Sequence, residues 1–318
     1  MILDETIEKI RTMEIRGAGR IARAAAAALK GHSESIRPED LHGYQQEMHR
    51  AGTLLSDTRP TAVSLPNAVN LITRPLRDAS DLSGAKMALE ERARTFINSS
   101  EHAVTRIGEI GARHIRDGDV VMTHCNSEAA LNCILTAHKQ GMDFEVYATE
   151  VRPRNQGHIT IKTLSDAGIR TNFIVDSAAR YFMKEVDICI TGADAITVNG
   201  AVINKIGTSQ IALAAKEARV NVLVAAETYK FAPRTILGER ILIEERPADE
   251  VLPESIRKEL PNVTVRNPTF DITPADYIDL IITEQGAIPP EMAYIIIKEH
   301  LQWDMDDLCS EYPYCEEE

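Results

Sequence analysis

Apolar positions in the first part of the chain recur at helical spacing. Ile7, Ile10 and Met13 fall on one face, and Gly19 to Lys30 is rich in alanine. From about Leu89 to Ile115, residues Phe96, Ala103, Val104, Ile107 and Ile110 repeat every three or four positions. These spacings predict helices. The segment Asp57 to Asn67 breaks the pattern with Pro60, Pro66 and polar residues, and predicts a loop. The pattern changes near Gly118. Short apolar runs at Val120–Met122, Phe144–Ala148, Asn172–Val175, Asp187–Ile190, Asn221–Ala225 and Tyr277–Thr283 predict strands. Helical stretches at Glu128–Gln140, His158–Ala167 and Gly207–Arg219 follow several of them. Alternation of this kind predicts βαβ units and a parallel, doubly wound sheet.

Such sheets bind ligands at the carboxyl ends of their strands, so the polar residues that end these runs become candidates. His124-Cys125-Asn126-Ser127 closes the first run. A helix start beside Cys125 would favour its thiolate, and Ser127 or Asn126 can cap that helix, leaving amides for a phosphate. The alternative is a small buried Cys beside an N-cap, a description that suits Cys133 and Cys189 in their apolar segments. Glu150 to Gly157 ends the second run and carries Arg152 and Arg154, a possible second anion site. Thr191-Gly-Ala-Asp194 ends another. Asp194 is a general acid if burial raises its pKa, or else part of an Asx turn. Asn199-Gly200 signals a turn, and Asn204 to Thr208 opens a helix with Lys205 among polar groups. Glu227-Thr-Tyr-Lys230 follows a later run. Near the N-terminus, Arg16-Gly17-Ala18-Gly19 begins a loose G-x-G-x-x-A match without a preceding strand. It reads as a turn opening a helix, suited to a phosphate or simply joining two helices. Arg59 adds a loop cation.

Charge and composition narrow these readings. The 318 residues are 44% hydrophobic and carry a formal net charge of -13, which argues against sequence-independent nucleic-acid binding. No apolar run approaches the ~20 residues of a membrane span, and acids near Met1 argue against an export signal, so a cytoplasmic protein is expected. Five cysteines, including Cys309 and Cys315, form no CxxC pair, which fits a reducing compartment. Metal-binding spacings such as HExxH are missing, and no metal or other cofactor is expected. One thiol, one carboxylate and several cations suit proton transfer on a small phosphorylated substrate.

These strings also resemble a known family. Arg16-Gly-Ala-Gly19, Arg59-Pro60, His124-Cys125, Arg152-Pro-x-x-Gln-Gly157, Gly192-Ala-Asp194, Asn199-Gly200 and Asn204-Lys-Ile-Gly207 are similar to the superfamily uniting methylthioribose-1-phosphate isomerase, archaeal ribose-1,5-bisphosphate isomerase and the regulatory subunits of eukaryotic initiation factor 2B. The longer strings Arg59 to Asn67, Val198 to Thr208 and Ala225 to Phe231 resemble the ribose-1,5-bisphosphate isomerase branch most. The resemblance implies a helical N-terminal domain over residues 1–116 and a Rossmann-like domain over residues 117–318. It implies a homo-oligomer, a dimer or trimer of dimers; charge and hydropathy, separately, lead to the expectation of no nucleic-acid and no membrane partner. It implies conversion of ribose 1,5-bisphosphate to ribulose 1,5-bisphosphate, in the archaeal breakdown of AMP and nucleosides. Cys125 and Asp194 take the catalytic positions. Arg16, Gly17, Ala18, Gly19, Arg59, Ser127, Glu128, Ala129, Arg152, Asn204, Lys205 and Lys230 fall on substrate-binding positions. Asn126 and Glu128 depart from the branch pattern, and Glu128 brings a negative charge close to the proposed phosphate. Methylthioribose-1-phosphate isomerase uses the same pair of catalytic residues, whereas a regulatory subunit has no need of them.

Overall fold

The structure, a computed structural model, describes residues 3–12, 14–15, 17–59, 62–301 and 303. Met13, Arg16, Cys309 and Cys315 lie outside the described residues. The chain forms two compact units. One comprises the N-terminal residues through Ala103, Tyr229–Phe231 and the chain from Ile296; the other comprises Val104–Thr228 and Ala232–Ile295.

The first unit is helical. Its helices are α1 (Leu3–Arg11), α2 (Ala18–Ser35), α3 (Leu41–Ser56), α4 (Ser64–Thr73) and α5 (Leu82–Gly111), the last continuing into the second unit. Alanines 22, 25, 26 and 28 of α2 are fully buried, and such small side chains let α2 lie close against α4. Tyr44 of α3 is buried, and its hydroxyl bonds Ser33 of α2 at 2.7 Å. Asp40 caps α3 by accepting from the Gly43 amide at 2.7 Å. The expected loop from Asp57 to Asn67 is only partly a loop, because Ser64 to Asn67 form the first turn of α4. Pro66 occupies that turn, where a missing N–H costs no helical hydrogen bond. Asn67 then donates to the carbonyls of Tyr229 at 2.9 Å and Phe231 at 2.6 Å.

The second unit is α/β, as the alternation predicts. Its strands are β1 (Val120–Thr123), β2 (Glu145–Thr149), β3 (Arg170–Ile174), β4 (Ile188–Gly192), β5 (Ala195–Ile196), β6 (Val202–Lys205), β7 (Asn221–Ala225), β8 (Phe270–Thr273), β9 (Leu280–Thr283) and β10 (Gly286–Ile288). The main sheet runs β10-β9-β7-β4-β1-β2-β3, parallel except for the β10 edge. Helices α6 (Glu128–Lys139), α7 (Gly157–Asp166), α8 (Ala179–Phe182) and α9 (Thr208–Ala218) cover it. Successive strand residues point to opposite faces. Val121 and Ile190 therefore pack with Ala130, Ile134 and Leu164 of α6 and α7, while Met122 and Cys189 pack with Met183, Ile211 and Ala215. Cys133 and Cys189 are fully buried, as their apolar segments predict, and burial pushes both thiols up to about 12.

A second, antiparallel sheet, β5-β6-β8, is an addition to the alternating pattern. The Asn199-Gly200 turn joins β5 to β6, with Gly200 at φ 79°. Tyr277 lies in a short 3-10 turn, so the predicted strand there begins only at Leu280.

Candidate active site

Strand order decides where the site lies. From β1 the chain winds through β2 and β3 in one direction, and from β4 through β7 and β9 in the other. The carboxyl ends of β1 and β4 therefore border the topological switch point, where doubly wound sheets open a crevice. Cys125 lies just past the end of β1 and Asp194 just past the end of β4. Two residues distant in sequence thus share one edge of the sheet.

Cys125 is partly buried and has a left-handed backbone, φ 67°. Thr160 of α7 holds that conformation, its hydroxyl donating to the Cys125 carbonyl at 2.8 Å and lying 3.2 Å from Asn126 Oδ1. The thiol points to Gln156 Oε1, 3.7 Å away. Burial pushes the thiol up to about 11; the Lys205 charge and the Asn126 amide oppose this, while the Asp194 and Asp176 carboxylates add to it. A thiol favoured as thiolate by the helix start is the sequence expectation, and the structure reverses it. Cys125 precedes the cap of α6 instead of sitting in its first turn, and desolvation outweighs the helix.

Ser127 is the N-cap of α6, its side chain accepting from the Ala130 amide at 3.3 Å. The Glu128 and Ala129 amides come earlier in that turn and have no acceptor within the helix. The Glu128 side chain is exposed. Gly192 at the end of β4 makes room for this cap: a Cβ there would stand 2.3 Å from Ser127 Oγ.

The carboxyl end of β6 carries Asn204 and Lys205. Asn204 is buried, and its Nδ2 bonds the Thr208 hydroxyl at 3.0 Å. Thr208 in turn donates to the Lys205 carbonyl at 2.7 Å. The Lys205 ammonium lies 4.9 Å from the centre of the Phe270 ring. Asp271 accepts from the Gly207 amide at 2.7 Å and the Ser209 amide at 3.2 Å, so the start of α9 already holds a carboxylate. Burial raises the Asp271 pKa.

The expected arginine pair divides. Both side chains are exposed, and Arg154 donates to Glu250 at 2.8 Å. The Val151 and Arg152 amides both donate to Asp176, at 2.9 and 2.8 Å. In the helical unit, Gly17 (φ 86°) begins α2 without a side-chain cap, followed by Ala18 and Gly19 in the first turn. A helix, α1, precedes this motif where a dinucleotide site needs a strand. Arg59 follows α3, its amide bonding the Ser56 carbonyl at 3.2 Å. Lys230 is buried at the end of a short 3-10 turn, Thr228–Lys230.

Thr149, Gln156, Thr160, Asp176 and Asp271 support this site and escaped the sequence reading. Gln156 alone belongs to a family-like motif, Arg152-Pro-x-x-Gln-Gly157. The others act through tertiary contacts that no local spacing signals.

A sequence profile described as the initiation factor 2 subunit family matches residues 14–290. Ribose 1,5-bisphosphate isomerase of Archaeoglobus fulgidus is 58% identical over 93% of each chain. The protein of the same name from Methanocaldococcus jannaschii is 54% identical, over 95% of this chain and 96% of that one. Among solved structures, the translation initiation factor eIF-2B of Pyrococcus horikoshii OT3 superposes with a TM-score of 0.76 at 32% identity, covering 91% of this chain and 97% of that one. On this combined similarity of sequence and fold, the chain belongs to the initiation factor 2 subunit family.

Proposed function

We propose that this protein is an isomerase that converts α-D-ribose 1,5-bisphosphate to D-ribulose 1,5-bisphosphate. The observation that carries the reading is the placement of Cys125 and Asp194 at the two strand ends bordering the switch point. Its support is 58% identity to an isomerase of that name over nearly the whole chain.

The chemistry follows from the substrate. Its C1 phosphate locks the sugar ring, so no free aldehyde exists. The C1–ring-oxygen bond must break while the phosphate stays on C1. Asp194, protonated, gives its proton to the ring oxygen as that bond breaks. Cys125, as thiolate, takes the proton from C2, and the released electron pair forms the C1–C2 double bond of an enol phosphate. The thiol then returns a proton to C1, and the C2 hydroxyl gives its proton to Asp194 as the ketone forms. Both groups end as they began. General acid–base steps of this kind typically contribute ~10²–10⁴-fold.

The raised thiol gives this scheme a starting condition. Before substrate binds, the proton resides on sulfur, and the nearby Asp194 charge helps to keep it there. Moving that proton from Cys125 to Asp194 creates the reactive pair without a change in net charge. Lys205 favours the thiolate. In this reading the Glu128 and Ala129 amides seat one phosphate, and the cations Arg152 and Lys205 hold the anionic substrate.

The test is a pair of assays on purified protein, with ribose 1,5-bisphosphate and with methylthioribose 1-phosphate. Ribulose 1,5-bisphosphate formed from the first alone is the expected result. Turnover of the second alone reassigns the substrate, and inactivity on both favours a non-catalytic regulator.

A further inference from the structure

His124 is a buried titratable side chain next to the reacting thiol, yet it has no part in the proton transfers above. It is 1% exposed. Its Nε2 lies 3.0 Å from the Ile206 carbonyl, which can only accept, so Nε2 carries the ring proton. In the neutral ring Nδ1 must then accept, and the Thr149 hydroxyl donates to it at 2.6 Å. Burial pushes the imidazole pKa down, opposed by the Asp176 carboxylate 3.9 Å from Nδ1.

This ring joins three segments. Its own backbone leads from β1 into Cys125. Through Thr149 it grips the end of β2, and through Ile206 it grips the loop that directly follows Asn204 and Lys205 at the end of β6. Gly207 shapes the seat: its φ is 104°, and a Cβ there would stand 3.0 Å from His124 Cε1. The far side of the loop is fixed independently, by the Ile206 amide on the Thr269 carbonyl at 3.1 Å and by Asp271 on the Gly207 amide. The bond from His124 to Ile206 is therefore a direct tie between the thiol segment and the loop that follows Lys205. Three charged groups act on the Cys125 thiol. Lys205 lowers its pKa, while Asp194 and Asp176 raise it. Asp176 is held separately, by the Val151 and Arg152 amides.

We propose that His124 is a positioning residue: its Nε2–H bond to Ile206 sets the distance between the Lys205 ammonium and the Cys125 thiol. Its catalytic meaning rests on the isomerase reading, but its test needs no substrate. The measurement is the pH dependence of iodoacetamide alkylation at Cys125, read by peptide mass in the full-length protein. His124→Gln keeps an N–H donor near the Nε2 position, whereas His124→Asn reaches only to Nδ1 and loses Ile206. In His124→Asn the alkylation midpoint should rise by about one pH unit, and the rate at pH 9 should fall about tenfold. His124→Gln should stay within about threefold of the parent. In a Lys205→Met background, adding His124→Asn should move the midpoint no further, since the ammonium is gone. An unmoved midpoint in His124→Asn overturns the proposal. So do equal shifts in both variants, which would indicate general loosening of the fold. Should His124→Asn not fold, His124→Gln alone is decisive, because the proposal requires it to keep the parent midpoint.

Discussion

Gly192→Ala tests whether the contact between the β4 end and the α6 cap shapes the site. The added Cβ would lie 2.3 Å from Ser127 Oγ and 2.5 Å from Ser127 Cβ. Ordinary contact begins near 3.4 Å, so the Ser127 side chain must retreat by about 1 Å. Its Cβ is fixed to the backbone, so rotating the hydroxyl away is not enough and the first turn of α6 must move. Overpacking of this kind costs about 1–3 kcal/mol, and a weakened N-cap adds about 1 kcal/mol. In a unit of this size each kcal/mol lowers Tm by about 2–4 °C, so a fall of roughly 4–16 °C is expected. The same shift moves the Glu128 and Ala129 amides, and a 1 Å misplacement costs about 100-fold in rate. Thermal unfolding and kcat/KM on ribose 1,5-bisphosphate measure both effects. Gly84→Ala is the control, since its Cβ would meet nothing nearer than Asp81 Oδ1 at 3.5 Å, and it should match the parent. A Gly192→Ala protein with the parent Tm and kcat/KM within about threefold would refute the reasoning.

Other expectations follow from separate parts of the molecule. Thr160→Val removes the hydroxyl that holds the Cys125 carbonyl; stability should fall by about 1–3 kcal/mol and kcat about tenfold, with KM changed far less, as steady-state kinetics and denaturant melts would show. Glu47 is held at about 2, chiefly by its hydrogen bond to Arg50 and also by His32, against a weaker opposing effect of burial. Its folded pKa lies below the ordinary 4.5, so its stabilisation is present above that pH and is lost as pH falls through about 2. Because the side chain is 29% exposed, solvent screens the pair, and Glu47→Gln should cost only about 1 kcal/mol at neutral pH. Urea melts should show that deficit shrinking between pH 4.5 and pH 2. Turnover in deuterium oxide should place deuterium on C1 of the product to the extent that the Cys125 thiol exchanges its proton before returning it, and any deuterium there rules out a direct hydride shift.

The fold was legible where one local signal dominated. The doubly wound sheet follows from apolar runs alternating with helical stretches, and Cys133 and Cys189 read correctly as core. Helix α3 was less visible, since Gly43, Gly52 and two histidines dilute its apolar stripe; the Asp40 cap is its clearest mark. Pro66 disguised the start of α4, because a proline in a first turn looks like a breaker in sequence. The small antiparallel sheet was hidden because β6 ends in Asn204-Lys205, whose polar character drew attention to chemistry. At the site, strand ends located Cys125 and Asp194, but not the state of the thiol. That state depends on burial and on charges from Lys205, Asp194 and Asp176, which only the folded chain assembles. The pairing of Arg154 with Glu250, nearly a hundred residues apart, was hidden for the same reason.

The most direct test of the central claim follows ribose 1,5-bisphosphate by phosphorus NMR with the parent protein and with Cys125→Ser. The account expects conversion to ribulose 1,5-bisphosphate by the parent. It expects a loss of at least about 1,000-fold in the variant, with substrate still raising the variant's Tm. A Cys125→Ser protein that turns the substrate over at nearly the parent rate would contradict it.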